Sequence, residues 1–466
     1  MLCDLKICLR QIILYQMTIC AVKFTKGFYM STGRKMKKLR IVLAAVFFAL
    51  SLLAFSGSGA LAAYIMHFEC APAILSWISG AALWTMAIVM FHVALTRFAG
   101  RVYCSVFCPL GIAQDIAGVI PAAKNAPRRS FASLRCIILG AVAGTLFCAS
   151  AAGFFFLDPY SLFGRGISAF LMGGTLPFAL ILLLTLFKKR FFCTFVCPVG
   201  TMLGFVARNP VYQLKITDKC VNCRKCVKVC PAGCIEPEKH LLDNERCLRC
   251  VECIAACPAD AVEFVRTSPQ DISPDRRDIL KRLGFAAAGF AGGFILSRLG
   301  VLQKLFSAGK SSGIYPPGAA KKELFERKCT GCLLCTKVCP QKIIVPAGNG
   351  IGPVELDLEG NFCRYNCNMC GNVCPTGAIR KLPLSVKQHL RIAKASFDPS
   401  VCIVFQEGAK CGKCGKVCPT GAVTLRKNGT PKFNAKLCIG CGACRAVCPT
   451  EAYIIEKISE QVPLEK

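Results

Sequence analysis

The sequence predicts a membrane all-α bundle joined to small α+β domains built around grouped cysteines. Three observations carry this reading. The 466 residues exceed one ordinary domain, and 54% are hydrophobic against 18% charged, with the apolar excess lying before residue 206. The chain holds 35 cysteines, most of them in regular groups after residue 219, whereas a disulfide scaffold would be short and evenly dense in Cys. The apolar stretches are near the roughly 20 residues of a bilayer-spanning helix, while the cysteine groups sit in short segments punctuated by Pro and Gly.

In chain order, residues 1–35 form an N-terminal extension with no clear pattern, and Met36, opening onto Lys37, Lys38 and Arg40, is an expected alternative start. Residues 36–210 form the membrane domain, with four spans expected at 41–63, 73–95, 134–156 and 168–187. The segment between the second and third carries Arg97, Arg101, Lys124, Arg128, Arg129 and Arg135, and the other two joining segments carry only Arg165. The positive-inside rule then puts both ends of this bundle in the cytoplasm. A formal charge of +32 is not read as nucleic-acid binding. The basic residues flank apolar runs, where they set membrane topology.

Residues 269–312 contain Arg276-Arg277 ahead of the apolar stretch Leu283–Leu299, which reads as a twin-arginine export signal, a fifth crossing with a surface-packed hinge helix as its alternative, and a linker. A domain that already holds clusters has to cross a membrane folded.

Six cysteine quartets carry the chemistry. Four have the spacing C-x2-C-x2-C-x3-C-P: Cys220, Cys223, Cys226, Cys230; Cys247, Cys250, Cys253, Cys257; Cys329, Cys332, Cys335, Cys339; and Cys438, Cys441, Cys444, Cys448. Cys363, Cys367, Cys370, Cys374 has one extra residue in its first gap, and Cys402, Cys411, Cys414, Cys418 a longer insertion. Three Cys on a tight loop reach three irons of a cubane while the fourth points to a neighbouring cluster, so clusters come in pairs. Proline after the fourth Cys turns the chain into a short strand. Zinc knuckles pair two C-x2-C units across a longer finger, and the C-x2-C-H signature of haem is absent. Six [4Fe–4S] clusters are therefore expected.

Residues 218–265, inside a two-cluster domain expected at 211–268, hold two motifs in one compact unit and resemble bacterial ferredoxins. That resemblance implies Cys220, Cys223, Cys226 and Cys257 on one cluster and Cys247, Cys250, Cys253 and Cys230 on the other. Residues 325–455, inside a four-cluster domain expected at 313–466 and with Pro316-Pro317-Gly318 just ahead of the first motif, resemble the exported four-cluster ferredoxin of periplasmic nitrate reductase systems (the NapG type); sequence leaves the motif pairing open. The membrane half repeats a C-x3-C-P motif, Cys104/Cys108 and Cys193/Cys197. With Asp158-Pro159-Tyr160-Ser161 it resembles the membrane ferredoxin of the same systems (the NapH type).

The four C-x3-C-P cysteines have three readings: a seventh cluster or other metal, redox thiols, or residues that shape helix ends. Asp158, the only acidic residue between the third and fourth spans, is the candidate proton acceptor of a quinol site, with Arg165 its partner. The turn formed by Asp-Pro is its structural alternative. Two functions compete. In one, a multi-pass protein of the bacterial inner membrane carries electrons from the quinone pool to a periplasmic oxidoreductase or cytochrome. In the other, an assembly factor reduces metals or thiols in a partner enzyme. No nucleotide-binding motif is present.

Overall fold

The computed structural model describes residues 32–56, 66–78, 83–119, 125, 131–148, 156–168, 176–267, 276–299, 312–319, 321–347 and 353–464. The expected extension before residue 32, parts of the expected spans at 57–63, 149–155 and 169–175, and residues 307–311 of the expected linker lie outside them.

The apolar half is helical. Helix α1 (Thr32–Ser56) is followed by α2 (Cys70–Ile78), α3 (Leu83–Ala99), α4 (Tyr103–Val106), α5 (Pro109–Ala117), α6 (Ala132–Phe147), α7 (Pro159–Ser168), α8 (Leu176–Phe187), α9 (Phe191–Phe195) and α10 (Pro198–Val206). Among the described residues two helices are long and apolar enough to cross a membrane, Gly33–Ser56 and Arg276–Arg298; the apolar helices at 84–99, 132–147 and 176–187 are shorter. The expected span at 73–95 is instead two helices, α2 and α3, packed side by side. Phe68 lies on Phe91 and Ala73 packs with Ile88 and Val89, so they run antiparallel. Glu69 opens this hairpin because its carboxylate finds a partner inside, accepting from the Tyr103 hydroxyl at 2.5 Å, and Pro72 fits a first helical turn.

Helices α4–α5 and α9–α10 repeat one another. Each C-x3-C-P motif ends a short helix at its second Cys and starts a new one at Pro109 or Pro198, where a missing N–H costs nothing. This repeat places Cys104 and Cys108 beside Cys193 and Cys197.

After the first cysteine-rich unit comes the twin-arginine helix, whose number follows those of the short helices α11 (Lys225–Val229) and α12 (Glu252–Ala256): α13 (Arg276–Arg298). It lies along α6. The contact is made by glycines: a Cβ on Gly140 or Gly144 would collide with the backbone of Ala286, Phe290 and Phe294, and one on Gly289 or Gly293 with that of Ile137 and Ala141. The pairs advance together along both chains, so the helices are parallel, joined by a small-xxx-small seam that lets the backbones touch. Arg282 pins the start of the seam to Glu245 at 2.6 Å.

The cysteine-rich regions are α+β, built from two-stranded antiparallel sheets. In the first unit β1 (Tyr212–Ile216) pairs with β4 (Val262–Arg266), enclosing both motifs and the hairpin β2 (Ile235–Glu236) and β3 (Leu241–Leu242). In the second, β5 (Ile344–Pro346) pairs with β6 (Val354–Leu356) and β7 (Leu390–Arg391) with β12 (Val462–Pro463). Strand β8 (Lys394–Phe397) pairs with β11 (Tyr453–Glu456), and β9 (Val423–Leu425) with β10 (Pro431–Phe433). Strands β4, β9 and β11 each begin four residues after a Cys-Pro proline, the turn expected from sequence.

The two units meet opposite ends of α1. Glu252 of the first accepts from Lys37 at 2.6 Å, and Ile254 packs on Gly33. The second comes to α7, where a Cβ on Gly164 would lie 2.6 Å from the Cys332 carbonyl and 2.5 Å from the Phe55 ring.

Candidate metal centres

The cysteine loops are shaped by backbone conformation before any metal is considered. In five of the six motifs the residue after the second loop Cys has a positive φ: Arg224, Val251, Leu333, Gly412 and Gly442. That left-handed step reverses the loop and turns successive N–H groups inward, a concavity that suits an anion. For Val251, at φ 54°, the conformation is costly, on the order of 1–3 kcal/mol, and is tolerated where the surroundings hold it. A short helix follows each loop, and the fourth Cys leaves it extended, as Cys230, Cys257, Cys339, Cys374 and Cys418 do.

Five cavities each gather one complete quartet, and in every one the fourth Cys comes from the neighbouring motif. They are Cys220, Cys223, Cys226 with Cys257; Cys329, Cys332, Cys335 with Cys374; Cys363, Cys367, Cys370 with Cys339; Cys402, Cys411, Cys414 with Cys448; and Cys438, Cys441, Cys444 with Cys418. The sixth group, Cys247, Cys250, Cys253 and Cys230, is held within electrostatic reach. The third motif therefore pairs with the fourth and the fifth with the sixth, the point that spacing alone left open.

These cavities fit an iron–sulfur cluster chemically. Burial pushes Cys329 and Cys441 up to about 11 and Cys250 and Cys370 up to about 12, so a thiolate there requires a cation to replace lost hydration. Among the described residues no group of three Cys, His, Asp or Glu is drawn tightly enough for a single metal ion.

Cys234 belongs to none of the six quartets. It is buried with its sulfur 3.5 Å from Cys230, and its S–H also reaches Cys247. Those two thiols are held below the ordinary value chiefly by that donor. Its position four residues after Cys230, in Pro-Ala-Gly-Cys, was the available signal.

Asp158 is fully buried and caps α7: its carboxylate accepts from the Ser161 N–H at 2.9 Å, the Ser161 hydroxyl at 2.6 Å and the Tyr160 N–H at 3.3 Å. Arg165, one helical turn and more along, lies within electrostatic reach of Asp158, Cys329 and Cys332. The structure thus brings both candidates under the first cavity of the second unit. Glu69 joins them from the α2–α3 hairpin.

The fold and its cavities define an iron–sulfur protein of the ferredoxin type. Models described as 4Fe-4S binding domains match residues 81–127 and 170–216, 214–236 and 323–345, and 244–260, and a 4Fe-4S dicluster domain matches 362–422 and 409–452. The chain is similar to the ferredoxin-type protein NapH of Escherichia coli, 32% identical over 142 residues (28% of this chain, 47% of NapH). It is equally similar to the methylamine utilization ferredoxin-type protein MauN of Paracoccus denitrificans, 32% identical over 141 residues (28% and 48%). An uncharacterized protein of Methanocaldococcus jannaschii is 26% identical over 222 residues (45% and 80%). The chain spans about half the length of NapH and MauN. No solved structure matches. The chain carries several 4Fe-4S binding domains and is similar, over part of their length, to ferredoxin-type proteins such as NapH and MauN.

Proposed function

We propose that the chain is anchored in the bacterial inner membrane, oxidises quinol, and passes the electrons through six [4Fe–4S] clusters to a periplasmic oxidoreductase or cytochrome. The observation that carries this is the separation of the two cysteine-rich units along α1. From Lys37, which pairs with the first unit, to Phe55, beside the second, is about 27 Å of helix, close to the roughly 30 Å of a bilayer core. The clusters, held by the quartets named above, supply one-electron transfer.

In this reading quinol binds where α7 meets the second unit. Asp158 takes a hydroxyl proton, Arg165 balances the carboxylate, and the capping bonds from Ser161 and Tyr160 fix its orientation. Cys329 and Cys332 lie within electrostatic reach of Arg165, so electrons leave the quinol next to a cluster cavity. An Asp158→Asn substitution retains an acceptor for the cap but removes the base. The expected result is normal iron content with reduction by a quinol analogue slowed at least 100-fold. Reduction at the parent rate would remove Asp158 from the site.

A further inference from the structure

The contacts that join the four cavities of the second unit set them in a row. The cavity of the third motif lies against α7 at Gly164, through Cys332. Its Cys335 is within electrostatic reach of Cys370 in the next cavity. There the Cys363 N–H donates to the Cys441 carbonyl of a third cavity at 2.9 Å. That cavity takes Cys418 from the fifth motif, and the fifth motif takes Cys448 in return. The row therefore ends at Cys402, Cys411, Cys414 and Cys448, the cavity furthest by these contacts from the apolar half.

The surface around this last cavity is strongly basic. Residues 403–433 carry Lys410, Lys413, Lys416, Arg426, Lys427 and Lys432 against a single acid, Glu407. All six cations are exposed, and the ion pairs described in the second unit, Lys321–Glu460 and Arg445–Glu451, involve none of them. The first unit differs, because Lys219 and Arg224 beside its Cys220 loop are matched by Glu263 and Glu238. Packing gathers the six on one face. Leu425 of the β9–β10 hairpin lies on the fifth motif, where a Cβ on Gly412 or Gly415 would come within 2.9 or 2.8 Å of it. Arg426 and Lys427 in the hairpin turn, and Lys432 opposite Thr424 on its solvent side, thus flank the loop that holds Lys410, Lys413 and Lys416. Lys413 itself lines the cavity. The insertion between Cys402 and Cys411 adds apolar surface beside them, with Val401 and Phe405 exposed and Phe405 resting on Phe397. Unmatched cations crowded on one face repel one another, and a carboxylate-rich surface relieves that repulsion.

We propose that this face docks an acidic redox protein, which takes electrons one at a time from the cluster of Cys402, Cys411, Cys414 and Cys448. In each encounter the cluster is oxidised by one electron and the partner's redox centre is reduced by it, with no bond made or broken. The exposed Val401, Phe405 and Leu425 supply an apolar centre and the six cations its charged rim. Attraction by charge speeds the encounter without holding the partner after transfer, as repeated delivery of single electrons requires. The inference rests on the electron-transfer reading and adds where the electrons leave and what chemistry of protein collects them.

Full-length protein in phosphatidylcholine nanodiscs, reduced with dithionite so that quinol plays no part, is mixed with ferric cytochrome b5, an acidic haem protein, or with ferric cytochrome c, a basic one. Oxidation of the clusters by cytochrome b5 should slow at least tenfold as salt rises from about 20 to about 300 mM, and oxidation by cytochrome c should not slow. A Lys413→Glu, Lys416→Glu, Arg426→Glu variant should slow the cytochrome b5 reaction at least tenfold at low salt with iron content unchanged. A Lys219→Glu, Lys225→Glu, Lys228→Glu variant of the first unit should not. Absence of a salt effect in the parent, which needs no variant to fold, overturns the docking face, and so does an equal loss in the two variants. If nanodiscs with about a third phosphatidylglycerol abolish the salt effect, the face belongs to anionic lipid and the proposal fails. Clusters that neither cytochrome nor ferricyanide oxidises overturn the electron-transfer reading and this face with it, whereas failure of quinol alone to reduce the protein counts only against the quinol site.

Discussion

Cys234 marks the boundary of what residue spacing reveals. The quartets are legible because ligation by one loop demands fixed intervals, and five cavities each gather one of them. Cys234 obeys no interval; its meaning lies in a sulfur placed 3.5 Å from Cys230 by the β2 turn. Hydrogen bonds to cluster sulfurs raise a reduction potential. Cys234→Ala should therefore leave iron content unchanged and lower the potential of one cluster of the first unit, read by redox titration with EPR. An unchanged potential would return Cys234 to simple packing. Glu69 was missed for a similar reason, since a lone acid in an apolar stretch becomes intelligible only when Tyr103 arrives from another helix.

At the scale of elements, the last apolar stretch carries five glycines in 284–300, which lower its hydropathy as a span. The structure gives two of them a purpose, because Gly289 and Gly293 are where the backbone of α6 touches. Hydropathy counts a side chain's affinity for lipid and is blind to the absence of one that lets two helices meet. Gly289→Leu should force α13 away from α6 and cost on the order of 1–3 kcal/mol, seen as a lower melting temperature in detergent. Gly292→Leu, at a position with nothing within 4 Å, should be close to neutral. Equal effects from the two would argue against the seam. The division into α2 and α3 was not legible, since both lie in one continuous apolar run whose composition suits a single span.

For the whole molecule, the layout of a helical apolar half with α+β cysteine-rich units was readable from composition and motif order. Which motif shares its fourth Cys with which was not, because the pairing is decided by how strands such as β8 and β11 close around two loops. If the units lie on opposite sides of a bilayer, reporter fusions after Arg266 and after Leu464 should give opposite signals, and Arg276→Lys with Arg277→Lys should hold the second unit inside. Two cytoplasmic signals would mean that α13 does not cross. The parallel course of α13 and α6 accords with a crossing in one direction by both.

The repeated C-x3-C-P helices carry a consequence for substitution. Each copy lays a guanidinium over a residue without a side chain in the other, Arg101 facing Gly200 and Arg190 facing Gly111. Neither half is complete alone, and each offers what the other lacks. The two copies of the motif are therefore coupled through these Arg–Gly contacts. Drift is then constrained across the repeat: a larger residue at Gly200 should become tolerable only together with a smaller one at position 101, in the other copy.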